Sequence, residues 1–257
     1  MKLLARTLPF LILVLTSCST VSETGRRRIA WFPASVVEEM GVAAYAEAVG
    51  PYREITGTAQ AQMVQRMGRR IAQASGANFD WEFKLLHAPD VVNAFALPGG
   101  KVAIYSGILE VAQGEDGLAA IVGHEVAHAT AQHGNERMTQ NLLAQVGLTA
   151  LDGALGTWGE MSAAERQEML GYLGVGAQVG VLLPFSRKHE SEADEIGLRY
   201  LIRAGYDPNE APLLWERMAA RAGPNRQPEF LSTHPDPLKR AQRLRELIPQ
   251  MLAEERP

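Results

Sequence analysis

Ile121-Val122-Gly123-His124-Glu125-Val126-Ala127-His128-Ala129 decides how the rest of the chain is read. Two histidines four residues apart fall on one face of an α-helix, one turn above the other. That spacing lets both imidazoles reach a single zinc ion and sets Glu125 beside the open coordination position. There Glu125 would act as general base towards water whose pKa the metal has lowered. Between 118 and 130 the only ordinarily charged side chain is Glu125, so the acid sits on an apolar, core-forming helix. A core helix with two hydrogen-bonded histidines is the alternative, and residues further along the chain weigh against it.

A third protein ligand is needed if one zinc position is kept for water. The segment His189-Glu190-Ser191-Glu192-Ala193-Asp194-Glu195 supplies the candidates. On a helix Glu190, Asp194, Gly197, Leu201 and Ala204 form one stripe that is otherwise small or apolar, and it is expected to face inward. Glu192, Glu195, Arg199 and Arg203 form a charged stripe expected to face solvent, with Glu195 and Arg199 at a favourable i,i+4 pairing. Buried acids require a cation or hydrogen-bond donors. Zinc would satisfy Glu190, and the ring N–H of a ligating histidine would satisfy Asp194.

With these residues in place, His124-Glu125-x-x-His128 and Glu190-x-x-x-Asp194 resemble the gluzincin zinc metallopeptidases. More closely the chain is similar to the CaaX-prenyl-protease clan and its soluble periplasmic relatives, the BepA/LoiP-type lipoprotein peptidases. Asn93-Ala94-Phe95-Ala96-Leu97-Pro98-Gly99-Gly100, Ser186-Arg187-x-x-Glu190 and Thr233-His234-Pro235 resemble further blocks of that family. The resemblance spans roughly 41–247. It implies one Zn2+ per chain held by His124, His128 and Glu190, Glu125 as general base, and Asp194 orienting a histidine, with His124 the expected partner.

The fold class expected is α+β and mostly α: a zincin metallopeptidase domain with a small β-sheet beside the active-site helix. Helical spacing predicts helices over 34–49 and 58–74, and Trp81, Phe83 and Leu85 alternate with polar residues to predict a strand over 81–87. Residues 91–97 and 101–105 flank Pro98-Gly99-Gly100, a hairpin turn. A sheet edge there can take an extended peptide as an added strand, which makes Asn93, Ala94 and Phe95 the candidate substrate-binding residues. A turn or strand-end role for Asn93 stays open. Ser106 is a candidate cap for a helix to about Val111. The metal helix is expected to run to about His133 and stop at Gly134, with His133 off the ligand face as a helix-end histidine. His87 reads as a strand-end histidine. His234, held before a proline, is a second candidate catalytic residue: it could stabilise the oxyanion, fill the open zinc position as a reversible block, or do neither. The final helix, 237–252, is amphipathic with a basic side of Lys239, Arg240, Arg243 and Arg245.

The N-terminus sets the expected compartment. Lys2 and Arg6 precede an apolar run from Leu8 to Leu15, and Leu15-Thr16-Ser17-Cys18 resembles a bacterial lipoprotein signal. Residues 1–17 read as the signal peptide, Cys18 as the lipidated residue, 18–33 as a lipid-anchored tether with the solvated charge run Arg26-Arg27-Arg28, and 34–257 as the peptidase domain. Cys18 is the single cysteine of the chain, so no internal disulfide forms; an inert buried thiol is its alternative. Ser19 after the cysteine fits sorting to the periplasmic face of the outer membrane. The formal net charge is −4 over 257 residues, and about −6 once residues 1–17 are removed. That excludes a basic face for nucleic acid. The Gly-rich insert 163–185 is too interrupted for a membrane span; close helix packing and a mobile lid over the cleft remain alternatives for it. Function is expected to be zinc-dependent endoproteolysis, with unfolded or misassembled envelope proteins as substrates. A chaperone-like lipoprotein that binds such clients without cleaving them is the alternative, and hydrolysis of cell-wall peptide a third. Nothing in the sequence sets an oligomeric state.

Overall fold

The computed structural model describes residues 18–152, 186–222 and 228–255. Signal residues 1–17 and insert residues 163–185 lie outside the described residues, and so does the side chain of Cys18. The elements are β1 (Cys18–Thr20), β2 (Arg27–Ile29), α1 (Ala34–Val49), α2 (Ala59–Ser75), β3 (Glu82–Leu86), β4 (Ala94–Leu97), β5 (Lys101–Tyr105), a 3-10 turn (Ser106–Ile108), α3 (Leu109–Ala112), α4 (Glu115–Thr130), α5 (His133–Asp152), α6 (Arg187–Arg203), α7 (Glu210–Arg221), α8 (Glu229–Thr233) and α9 (Pro237–Glu254). The described residues are mostly helical with two small sheets, the α+β class expected.

Local signals explain several boundaries. Thr58 Oγ1 accepts from the Ala61 N–H at 3.1 Å and opens α2, and Gly76 closes it in the left-handed region. Val64, Met67 and Ile71 form its fully buried stripe. Gly99 and Gly100, both at φ +83°, make the turn between β4 and β5, a conformation that side chains with a Cβ avoid. Strand β5 is the middle strand, parallel to β3 and antiparallel to β4. Among the described residues strand β4 is therefore an edge. Ser106 does not cap a helix: its hydroxyl accepts from the Ala88 N–H at 3.0 Å, tying two loops together.

The metal helix is the core. Every residue of α4 from Gly117 to Ala129 is buried, because α2, β4, α6 and α7 surround it. It ends at Thr130, three residues short of the expected end at His133, since Gln132 turns into the left-handed region at φ +55°. His133 instead begins α5.

Helix α6 crosses α4 glycine against glycine. A Cβ on Gly197 would lie 2.9 Å from the His124 backbone nitrogen and 3.0 Å from the Gly123 carbonyl carbon. This contact sets Glu190 at the level of the two histidines. Gly197→Ala must push the two helices apart, and overpacking of this kind costs about 1–3 kcal/mol. The expected result is a lower melting temperature together with weaker metal binding, read by thermal unfolding with and without added zinc.

The basic run 26–28 is not a solvated tether. Strands β1 and β2 pair as a hairpin, and the Arg26 side chain is buried to 16 % exposure between Glu136 and Glu192. Arg28 donates to the Ala131 carbonyl at 2.6 Å, and only Arg27 of the three is exposed. Helix α7 buries Leu214, Trp215 and Met218, whereas Leu213 is 40 % exposed.

Candidate metal centre

His124, His128, Glu190 and His234 converge, each offering one donor atom, and the four donors lie within 4.8 Å of one another. His124 Nε2 is 3.0 Å from His128 Nε2 and 3.2 Å from His234 Nδ1. Glu190 lies 3.4 Å from His128 Nε2, 3.5 Å from His124 Nε2 and 2.9 Å from His234 Nδ1. With zinc–ligand distances of about 2.0–2.2 Å, ligand atoms on a tetrahedron are separated by roughly 3.3–3.6 Å. The N,N,O donor set and its spacing therefore fit zinc. Glu125 Oε1 is buried without a hydrogen-bond partner among the described residues, 3.3 Å from His234 Nε2. Within ion-pair reach of His234 but held by no hydrogen bond, that acceptor is placed to receive a proton from water beside the metal.

Asp194 Oδ1 lies 3.2 Å from His124 Nδ1, on the ring edge away from the donors. The contact fits the expected orienting role. Arg240 closes the site from behind. It grips Asp194 through Nε at 2.9 Å and NH2 at 2.6 Å, reaches Glu190 through NH1 at 2.7 Å, and lies 3.5 Å over the Trp215 ring. Arg240 had been placed on the basic outer side of the last helix; it is 7 % exposed. Counting back by turns from the buried Met251, Ile248 and Leu244 arrives at Arg240, so the stripe that hides it was readable.

Charges in the centre are balanced locally. Burial would raise the Glu190 pKa, but His234 and Arg240 beside it, with hydrogen bonds from both histidines of α4, hold it well below the carboxylate range. Burial drives His128 well below the usual histidine value. For His234 burial acts in the same direction, yet the Glu190 and Glu125 carboxylates outweigh it and lift the ring to about 9.

Behind His128 stands a second set of polar side chains that the sequence reading misassigned. Glu192 is 6 % exposed, not on a solvated face. It accepts from His133 Nε2 at 2.9 Å, Arg26 Nε at 2.6 Å and Thr24 Oγ1 at 2.5 Å. His133 is fully buried and faces His128, Nδ1 to Nδ1, at 2.9 Å. Ile196 and Tyr200, one and two turns after Glu192, are apolar and buried, which was the available signal. Glu195 does face outward, 3.7 Å from Arg199. Arg187, 85 % exposed, lies at the surface, and so does His87, just past the end of β3 as its reading as a strand-end histidine expects.

Burial pushes His133 down to about 4 from 6.5. Burial would raise Glu192, but its donors His133, Thr24 and Arg26 bring it from 4.5 to about 2. Both folded values are depressed, so the unfolded chain takes up protons first as the pH falls. The contribution of these two groups to the stability of the chelated protein is expected to be full above pH 6.5, to drop between 6.5 and 4 with His133, and to drop again between 4.5 and 2 with Glu192. Thermal melts across that range check this, and Glu192→Gln should shrink the lower step, to which the depressed carboxyls of Glu136, Glu190 and Asp194 also contribute.

Strand β4 borders the centre. The Tyr105 N–H bonds to the Asn93 carbonyl at 3.1 Å, so residues 93, 95 and 97 face β5 while the N–H and C=O groups of Ala94 and Ala96 face away. Asn93 itself is engaged: its Oδ1 accepts from the Ala94 N–H at 2.9 Å and its Nδ2 donates to Glu229 at 3.2 Å. The Phe95 ring packs between Tyr45 and Tyr105. A cavity of about 90 Å³ opens beside the strand, walled by Met40, Ala96, Leu97, His128 and Met138.

Residues 58–248 match the family profile of peptidase family M48. The chain belongs to that family. Membership makes it a metallopeptidase, and the zinc such enzymes use fits the donors described above. A mitochondrial metalloendopeptidase OMA1 of Schizosaccharomyces pombe is 40 % identical over 189 residues, covering 73 % of this chain and 52 % of the relative. The OMA1 of Arabidopsis thaliana is 34 % identical over 188 residues, 71 % of this chain and 36 % of the relative. A beta-barrel assembly-enhancing protease of Escherichia coli is 32 % identical over 194 residues, covering 74 % and 39 %. This member of the M48 family thus spans about half, or less, of the length of these relatives.

Proposed function

We propose that the chain is a zinc-dependent endopeptidase of the bacterial cell envelope that cleaves unfolded or misassembled proteins. The observation that carries this reading is the buried His124, His128, Glu190 group with the bare Glu125 carboxylate oxygen beside it. Bound zinc would supply Lewis acidity for the scissile carbonyl and lower the pKa of water. His124, His128 and Glu190 would hold it, with Asp194 and Arg240 fixing the first and last of these. Glu125 takes the proton from the attacking water and passes it to the leaving amine. An extended peptide adds to the outward carbonyl of Ala94 and the outward N–H and carbonyl of Ala96 on β4, the Ala94 N–H being held by Asn93 Oδ1; in this arrangement Asn93, Ala94 and Phe95 serve through strand position, not through free side chains. The apolar cavity next to His128 would receive an apolar side chain flanking the cleaved bond.

His234 stands among the donors. That placement favours the blocking role: the ring fills the position a peptide carbonyl would use, and it must turn aside before cleavage. The same observation supports a second reading, in which clients are held in the groove and not cut.

Envelope location rests on the N-terminal signal, with Cys18 lipidated at the outer membrane, and on similarity to a protease named for β-barrel assembly; the OMA1 relatives are named mitochondrial. No helix among the described residues is long and apolar enough to cross a membrane. The test is digestion of unfolded casein by the purified chain with zinc counted. Cleavage on the side of apolar residues, lost on chelation and restored by one zinc per chain, is the expected result. Zinc binding without cleavage, persisting in His234→Ala, would favour client holding.

A further inference from the structure

We propose that the N-terminal hairpin is part of the metal centre's support: Arg26, through Glu192 and His133, positions the zinc ligand His128. The inference rests on the reading of His128 as a ligand and extends it to residues about a hundred positions away in sequence.

The chain of contacts is continuous and assigns its own protons. His128 Nε2 faces the other donors at 3.0–3.4 Å. A ring that gives Nε2 to a metal carries its proton on Nδ1. His128 Nδ1 therefore donates to His133 Nδ1, 2.9 Å away. With Nδ1 as acceptor, neutral His133 carries its proton on Nε2 and donates it to Glu192 at 2.9 Å. A carboxylate behind two histidines in series fixes the tautomer and orientation of the ligand ring.

Glu192 cannot do this alone. Glu136 and Glu192 are both buried, at 3 % and 6 % exposure, and buried carboxylates need a compensating cation. Arg26 supplies it as a fork, with NH1 and NH2 on Glu136 at 2.9 and 2.5 Å and Nε on Glu192 at 2.6 Å. Such fixed planar geometry suits guanidinium and not ammonium. Glu136 in turn accepts from His189 Nε2 at 3.0 Å, and the His189 ring stacks on His133 at 4.4 Å, so its position is held from two sides.

The hairpin is itself fastened to the elements that bear the ligands. Arg28 takes the Ala131 carbonyl just past the end of α4, Thr24 bonds Glu192 on α6, and Glu23 pairs with Arg203 at the far end of α6 at 3.0 Å. The hairpin thus bridges the helix carrying His128 and the helix carrying Glu190.

The experiment measures zinc affinity by chelator competition on the full chain. Wild type is compared with Arg26→Ala, Arg26→Lys, Glu192→Gln, His133→Ala and the exposed control Arg27→Ala. Arg26→Ala, Glu192→Gln and His133→Ala should each weaken zinc about 10–100-fold, Arg26→Lys less, and Arg27→Ala not at all. The d–d spectrum of the cobalt-substituted variants should shift, which a change in fold stability alone would not produce. Arg26→Lys keeps a cation between the two carboxylates and so reports even if Arg26→Ala fails to fold. Zinc affinity within twofold of wild type in both Glu192→Gln and Arg26→Lys, with an unshifted cobalt spectrum, would overturn the proposal. Wild type that binds no zinc would defeat the ligand reading itself.

Discussion

Glu125→Gln is expected to leave zinc bound at one per chain and to lower peptide cleavage by about 10²–10⁴-fold. The amide keeps the volume and one acceptor of the carboxylate but cannot take a proton from water. Glu125 is not one of the four converging donors, so removing its charge leaves the metal-holding set intact. Among the described residues its Oε1 makes no hydrogen bond, and its one charged contact is His234 Nε2 at 3.3 Å, which the glutamine amide oxygen can still face. The variant therefore separates chemistry from binding: initial rates of casein digestion fall while zinc content and melting temperature stay near wild type. Loss of zinc in Glu125→Gln would mean that the carboxylate is holding the metal and that general-base duty belongs elsewhere.

Arg240→Ala should be the most damaging single change to the fold. It withdraws the guanidinium from Asp194 and Glu190 together and leaves two buried carboxylates without their cation. Breaking a buried ion pair from one side costs about 3–5 kcal/mol. Arg240 also packs on Trp215, so some apolar contact goes with the charge. Lys239, its exposed neighbour, gives the contrast, since Lys239→Ala is expected to stay within about 0.5 kcal/mol. Denaturant unfolding of the chelated proteins reads both. Adding Asp194→Asn to Arg240→Ala should recover part of the loss, because one of the stranded charges is then gone.

The two variants mark what could and could not be read in advance. His124, Glu125 and His128 were legible because helix geometry alone sets their relation, and Glu190 because an acid on an apolar stripe demands an explanation. Strand and hairpin limits followed from period and turn chemistry, with 81–87 realised as Glu82–Leu86. Arg240, His133 and Arg26 were lost for a shared reason. A charged side chain is read as solvated unless a partner is visible, and their partners lie on other elements, brought near only by tertiary packing. Glu192 belongs to two overlapping stripes on α6, a charged one and the apolar one through Ile196 and Tyr200, and its burial follows the apolar one. Asn93 was correctly set at the sheet edge, but the sequence held no sign that Glu229 would occupy its amide.

The glycine-to-glycine crossing of α4 and α6 also dictates when the metal can be captured during synthesis. The ribosome releases the N-terminal part first, so His124 and His128 emerge roughly sixty residues ahead of Glu190. Until Gly197 seats against Gly123, the nascent chain offers two imidazoles and no carboxylate, a half-site too poor to compete for scarce zinc. Full coordination therefore waits on the docking of α6 against α4, so that metal binding and this packing step are coupled.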